Sequence, residues 1–132
     1  MNTRRKKKYG LPMTRFRELY YHCLQYPVWV VELDNISDMQ AVNYDGLPKG
    51  TQTSNPVEQL ASKRESLRDK ISLIERTAKE AGGDISEALL IAVTTGATFD
   101  QLKRSGVLFA ERDCFYQRRR MFYWMLDSRM EQ

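Results

Sequence analysis

The middle of the chain carries apolar residues at alternating spacings of three and four, a pattern that is buried on one side of an α-helix. The members of this seam are Val57, Leu60, Arg64, Leu67, Ile71, Ile74, Ala78 and Ala81. Asn55, Pro56 and Glu58 form a helix-start signal, with an N-cap, a proline in the first turn and an acid three residues on. Gly82 and Gly83 end the pattern. The sequence therefore predicts one long helix over about 56–81.

An earlier seam shows the same spacing, beginning behind a possible N-cap at Thr14. Its members are Phe16, Leu19, Cys23, Tyr26, Val30 and Leu33. Pro27 falls inside the seam, so we expect a kinked helix or two helices broken near Tyr26. A loop over 41–54 separates the two seams. Residues 12–81 are thus predicted to form an antiparallel helical hairpin or a dimerising coiled coil, and the pattern does not choose between them.

Three shorter helices are expected after the glycine pair, over 84–95, 98–105 and 110–128. Thr98 and Gln101 make a capping box that opens the second of them. The lengths and short connections are typical of a helix-turn-helix, in which the third helix enters the DNA major groove. With little strand signal, the predicted fold class is all-α. The predicted divisions are a basic flexible arm (1–11), the hairpin (12–81) and a helix-turn-helix domain (84–132).

The net charge of the chain is only +4, but the charges are distributed unevenly along it. Residues 1–17 carry seven basic side chains and no acid, residues 18–102 have a net charge of −6, and residues 103–132 have a net charge of +3. A polyanion would therefore meet the ends of the chain. The hydrophobic content of 42% argues against disorder. The longest uncharged stretch is too short for a transmembrane helix, so we expect a cytoplasmic protein with no membrane partner.

The third C-terminal helix carries the candidate DNA contacts. Arginine pairs with guanine or phosphate, glutamine reads adenine, and an acid accepts from the cytosine amine. The residues assigned to DNA there are Arg112, Asp113, Tyr116, Gln117, Arg119 and Arg120. The basic arm adds Arg5, Lys6, Lys7 and Lys8 as phosphate or minor-groove contacts. Because Arg118, Arg119 and Arg120 are consecutive, they cannot all face DNA, and one is expected to pair with an internal acid. The apolar run 121–126 is expected to be buried.

Catalytic and metal-binding signals are weak. His22 is the single histidine, and neither Cys23 nor Cys114 has a candidate base nearby in sequence. Asp34 and Asp38 share a helix face, but no third ligand has suitable spacing. We therefore predict no enzyme activity, no cofactor and no metal.

The ends of the chain carry a family likeness in the run from Lys6 to Leu11 (KKKYGL), in Thr14, Arg17 and Leu19, in Tyr26 followed by Pro27, and in the stretch 108–126. On these residues the chain resembles the RinA-type phage transcriptional activators, to which the ArpU-like activators are related. The resemblance implies a sigma-factor-like helix-turn-helix and activation of late genes of a phage or prophage of Gram-positive bacteria. The chain departs from the family with Ala110 where a Ser or Thr N-cap is usual, and with Asp113 where a small polar residue is usual.

These observations predict a nucleoid-associated transcription regulator whose partners are double-stranded DNA, host RNA polymerase and further copies of itself. Two other interpretations stay open. A small terminase subunit also combines a helix-turn-helix with coiled-coil assembly, and it would form a ring of eight or more subunits. A protein-interaction module without DNA binding would use Phe122, Tyr123 and Trp124 as an interface.

Overall fold

The computed structural model describes residues 9–43 and 56–131, with side chains described over 9–38 and 56–131. Within these ranges the chain is helical and contains no strand, which confirms the all-α prediction. The arm residues Arg5 to Lys8, the Asn55 cap and most of the predicted loop lie outside the described residues. The helices are α1 (Met13–Cys23), α2 (Tyr26–Asn43), α3 (Pro56–Gly82), α4 (Ser86–Thr95), α5 (Phe99–Ser105) and α6 (Arg112–Met130).

The first seam is divided between α1 and α2, as Pro27 predicted. The backbone N–H of Gln25 donates to the carbonyl of His22 at 3.2 Å, which tightens the chain at the break. Pro27 then lies in the first turn of α2, where a missing N–H costs no helical hydrogen bond. The break also turns the buried face, so that Trp29 and Ile36 are buried while Val30 and Leu33, members of the predicted seam, are half-buried. The Thr14 cap was a wrong prediction, because α1 begins at Met13 with Pro12 at its cap.

Helices α2 and α3 form an antiparallel hairpin within one chain. Three pairs of side chains join them: Tyr26 with Glu75, Trp29 with Lys70, and Glu32 with Lys63. Residue numbers rise along α2 as they fall along α3, which establishes the direction. The intrachain hairpin, one of the two arrangements left open by the sequence, is therefore the one present in this structure.

Helix α3 carries the second seam. Its C-terminal members, from Leu67 to Ala81, are buried, while Val57 at the N-terminal end is 51% exposed. Thr77 is also buried and lies off the seam. Its Oγ1 donates to the carbonyl of Leu73 at 2.6 Å and accepts from Nη1 of Arg129 at 3.0 Å. This buried hydroxyl is therefore fully partnered and ties α3 to the end of α6.

The hairpin and the C-terminal helices share a hydrophobic core. Leu89 of α4 and Phe122 of α6 belong to the same buried cluster as Ile74 of α3. The glycine pair does end α3, but packing continues across it. A Cβ on Gly82 would lie 3.1 Å from Cδ2 of Leu89, so the absence of a side chain there lets α4 fold back closely on α3. Segments 12–81 and 84–132 are consequently joined by one core.

Candidate nucleic-acid interface

Helices α4, α5 and α6 are joined by short turns that position the candidate interface. Gly96 and Gly106 end α4 and α5 with φ values of 79° and 82°, a left-handed conformation that glycine adopts without strain. At the start of α5 the N–H of Thr98 donates to Oε1 of Gln101 at 2.8 Å, and the N–H of Gln101 donates to Oγ1 of Thr98 at 3.1 Å. The predicted capping box is confirmed. These turns and caps fix where α6 begins.

A second, smaller core holds this unit together. Phe99 and Leu102 of α5 pack against Phe115 of α6, and the rings of Phe99 and Phe115 have centroids 5.9 Å apart. Ala88 and Ala92 of α4 complete the cluster. Because small residues on α4 face large ones on α5 and α6, the three helices pack closely, and the first turns of α6 are held rigidly at the surface.

Four exposed residues form a stripe along α6. Its members are spaced four, three and four residues apart, which places them on one side of the helix. The stripe consists of Asp113, Gln117, Arg120 and Trp124. Asp113, Gln117 and Arg120, three of the residues assigned to DNA from the sequence, therefore lie together on a helix face that could fit into a DNA groove. The helix itself begins at Arg112 with Glu111 at its N-cap, two residues later than the predicted start at about 110.

Arg112 and Tyr116 lie along one border of the stripe. Arg112 is exposed, and its Nη2 lies 3.4 Å from Oδ1 of Asp100. Its guanidinium carbon is 4.9 Å from the ring centroid of Phe99. Tyr116 is half-buried, with its ring centroid 5.0 Å from that of Phe115. An exposed ion pair of this kind is weak, so Arg112 is able to exchange Asp100 for a phosphate at little cost.

The three consecutive arginines have different surroundings. Nη1 of Arg118 donates to the carbonyl of Ala81 at 3.2 Å. The partner of Arg118 is therefore a backbone oxygen and not the acidic side chain that was predicted for one of the three arginines. Arg119 is half-buried and faces α1, with its guanidinium carbon 5.5 Å from the ring centroid of Phe16. Arg120 alone is exposed on the stripe. None of the ion pairs within residues 9–38 and 56–131 involves any of the three, and the expectation of an internal partner acid is corrected accordingly.

The run at 121–126 is buried only in part. Phe122, Tyr123 and Leu126 lie in the main core, whereas Trp124 is 45% exposed. This corrects the expectation of complete burial, and it also removes Phe122 and Tyr123 from any surface that could serve as an interface. Burial raises the pKa of the Tyr123 phenol.

Trp124 lies on the exposed stripe, although the sequence analysis did not include it among the candidate DNA-binding residues. The ring of Tyr9 contacts it edge-on, with centroids 5.3 Å apart. Tyr9, the first described residue of the chain, therefore contacts the exposed stripe of α6. The sequence signal for this contact was Tyr9, an aromatic residue that directly follows the basic residues 4–8.

The other candidate chemical groups do not assemble into a site among the described residues. His22 is half-buried with its ring centroid 5.0 Å from that of Trp29, and burial lowers its pKa. Burial raises the pKa of the Cys23 thiol to about 12. No group of three or more His, Cys, Asp or Glu side chains within the described ranges is placed to hold a metal ion. No described helix is both long and apolar enough to cross a bilayer.

Comparisons of the chain with protein-family models, with curated proteins and with solved structures found no match.

Proposed function

We propose that this chain is a DNA-binding transcription regulator of a phage or prophage, in which the exposed stripe of α6 enters the major groove. The proposal extends to activation of late genes by recruitment of host RNA polymerase, an expectation that comes from the resemblance to the RinA-type activators. No catalytic step is involved. Affinity comes from arginine and lysine contacts with phosphates, and sequence preference comes from a few side chains on the base edges.

The observation that carries the proposal is the contact between Tyr9 and the exposed stripe of α6. Tyr9 packs on Trp124, which is one helical turn beyond Arg120 on the same stripe. Four cations at positions 5–8 directly precede Tyr9 in the sequence, and we propose that they contact phosphates next to the side chains that would read bases. Phosphates on both sides of a groove occupied by α6 would lie within reach of such an arm.

Each stripe residue has a distinct role in this proposal. Arg120 pairs with guanine or a phosphate, and Gln117 pairs with adenine. Asp113, in the first turn of α6, accepts a hydrogen bond from a cytosine amine and disfavours phosphate at that position. Arg112 exchanges its partner Asp100 for a backbone phosphate. Arg119, held against Phe16, supports the helix from the side and adds positive potential without reaching a base.

The hairpin has no role at the duplex in this proposal. Residues 12–81 carry nine basic and ten acidic side chains, a net charge of −1, so the hairpin offers phosphate no net attraction. We therefore assign α2 and the N-terminal part of α3 to contact with polymerase or with a second copy of the chain. Exposed Val28, Val31 and Val57 give this segment apolar surface for such a contact.

The test begins with DNA recovered from host cells by genome-wide pull-down of the protein, which supplies a bound sequence. Fluorescence anisotropy over a range of salt concentrations then compares Arg120→Ala with Arg68→Ala, the same change of charge at an exposed position on α3. Arg120→Ala is expected to weaken binding by at least about fivefold and to flatten the salt dependence. Gln117→Ala is expected to relax preference at one base pair.

Absence of DNA binding at low salt would overturn the proposal. Equal affinities for the Arg120→Ala and Arg68→Ala proteins would overturn the placement of α6 in the groove. A ring of eight or more subunits in solution would favour a terminase subunit over a regulator.

A further inference from the structure

A cavity of about 320 Å³ lies between the start of α1 and the middle of α6. Eight residues line it, among them the aromatic residues Tyr9, Phe16 and Tyr123 and the basic residues Arg119 and Arg120. Its volume is at the lower end of the range of small-molecule sites in proteins. An aromatic wall of this kind suits a flat apolar group about the size of a benzene ring.

The cavity is strongly biased towards anions. No acidic side chain belongs to its lining, which is drawn from described residues alone. The first turn of α1 begins beside it at Met13, and this turn has no side-chain cap and no acid. The unbonded N–H groups of a helix N-terminus attract negative charge. Two guanidinium groups and a helix terminus therefore contribute positive potential to one small space.

The guanidinium group of Arg119 is positioned by neighbouring aromatic rings before any anion binds. Its guanidinium carbon lies 5.5 Å from the ring centroid of Phe16, 5.6 Å from that of Tyr123 and 5.8 Å from that of Tyr116. These rings restrain the side chain and favour its charge. Among the described ion pairs none neutralises it. A positive charge fixed at an apolar wall interacts more strongly with an anion than a mobile surface charge does.

Tyr9, which lines the cavity, has a strained backbone conformation. Tyr9 has a φ of 66°, a left-handed conformation that a residue with a side chain adopts at a cost. Strain of this kind is found at ligand clamps. The ring of Tyr9 contacts Trp124 on one side and lines the cavity on the other.

We propose that this cavity binds a small organic anion, with an aromatic body against Tyr9, Phe16 and Tyr123 and a carboxylate paired with Arg119. The proposal does not depend on the DNA-binding role. Because Arg120 belongs both to this cavity and to the exposed stripe, an anion bound here would also alter the charge presented by α6.

The experiment titrates the full-length, DNA-free protein at constant ionic strength and follows backbone amide shifts by NMR. The probes are phenylacetate, its neutral amide phenylacetamide, and inorganic phosphate. Phenylacetate is expected to shift residues 9–16 and 119–123. Phenylacetamide and phosphate are each expected to bind at least about tenfold more weakly, because one lacks the charge and the other lacks the ring.

Two variants locate the anion. Arg119→Met is expected to weaken phenylacetate binding at least about tenfold, whereas Arg68→Met on α3 leaves it unchanged. Met13→Glu, at a position that is 60% exposed, puts a carboxylate at the cavity and is expected to abolish binding even if Arg119→Met does not fold. Equal binding of the acid and the amide, equal binding of phosphate, or an unaltered affinity in Met13→Glu would overturn the proposal. A protein that binds phenylacetate but not DNA would leave this site standing and overturn the proposed function alone.

Discussion

The ring of Tyr9 stands edge-on against the ring of Trp124, with centroids 5.3 Å apart and planes inclined at 62°. The two residues are separated by more than a hundred positions in the chain, and their contact joins the N-terminal segment to the exposed stripe of α6. It places Tyr9, the candidate DNA contacts on α6 and the cavity lined by Tyr9 and Arg119 within one region of the surface.

Replacing Trp124 with alanine tests this contact directly. Because Trp124 is 45% exposed and an edge-to-face pair contributes about 0.5–1.5 kcal/mol, we expect the free energy of unfolding to fall by about 1 kcal/mol. Hydrogen exchange of the peptide around Tyr9 is expected to accelerate markedly. Mass spectrometry of exchanged peptides measures this without any assumption about DNA.

Tyr21→Ala is the matched control. Tyr21 is 62% exposed, and its ring also makes an edge contact, with Tyr20 at 5.2 Å. Its loss is expected to leave exchange around Tyr9 unchanged. If hydrogen exchange around Tyr9 is equally fast in the Trp124→Ala and Tyr21→Ala proteins, Trp124 does not hold Tyr9 in place.

Phe122→Ala tests whether the hairpin and the C-terminal helices share a core. Phe122 is fully buried and belongs to the cluster that includes Ile74 of α3. Its truncation is expected to cost about 3–5 kcal/mol. Amides of α3 should lose protection together with those of α6. Loss of protection confined to residues beyond Gly83 would mean that two independent units had been joined only by the chain.

Features that depend on residues close together in the chain could be predicted from the sequence. The seam from Leu67 to Ala81, the break near Pro27 and the Thr98 capping box depend on neighbours within a few positions, and all three are present in the structure. The stripe formed by Asp113, Gln117 and Arg120 follows from helical spacing alone.

Other features of the site depend on residues far apart in the chain, and no local pattern encodes them. The stacking of Arg119 on Phe16 joins positions 103 residues apart. The hydrogen bond from Arg118 to Ala81 spans 37 positions. The sequence therefore predicted that the consecutive arginines face different ways, but it did not predict that Arg118 contacts α3 or that Arg119 contacts α1.

Two glycines with nearly equal backbone angles give a paired prediction. Gly96 and Gly106 have φ values of 79° and 82°, so a side chain at either costs about 1–2 kcal/mol in backbone strain. A Cβ at Gly96 would also lie 3.2 Å from the hydroxyl of Tyr20, whereas a Cβ at Gly106 meets nothing within 4 Å. Gly96→Ala is therefore expected to destabilise the protein more than Gly106→Ala in urea denaturation.

The Tyr20→Phe background isolates the steric part of that difference. Removing the hydroxyl removes the close atom, so the two glycine variants should then lose similar stability. An undiminished gap between them in this background would place the extra cost of Gly96→Ala elsewhere than at Tyr20.

The buried thiol of Cys23 predicts how stability depends on alkaline pH. Burial raises the pKa of this thiol from 9.0 to about 12, so the folded protein keeps a proton that the unfolded chain loses above pH 9. The unfolded state then binds fewer protons, and the free energy of unfolding falls as pH rises from about 9 towards 12, by at most about 1.4 kcal/mol per pH unit from this group. Cys23→Ala should give a shallower slope between about pH 9.5 and 11 in urea denaturation, whatever its stability at neutral pH. Cys114→Ala, at an exposed position, should keep the wild-type slope, and identical slopes for all three proteins would show that Cys23 ionises alike in the folded and unfolded states.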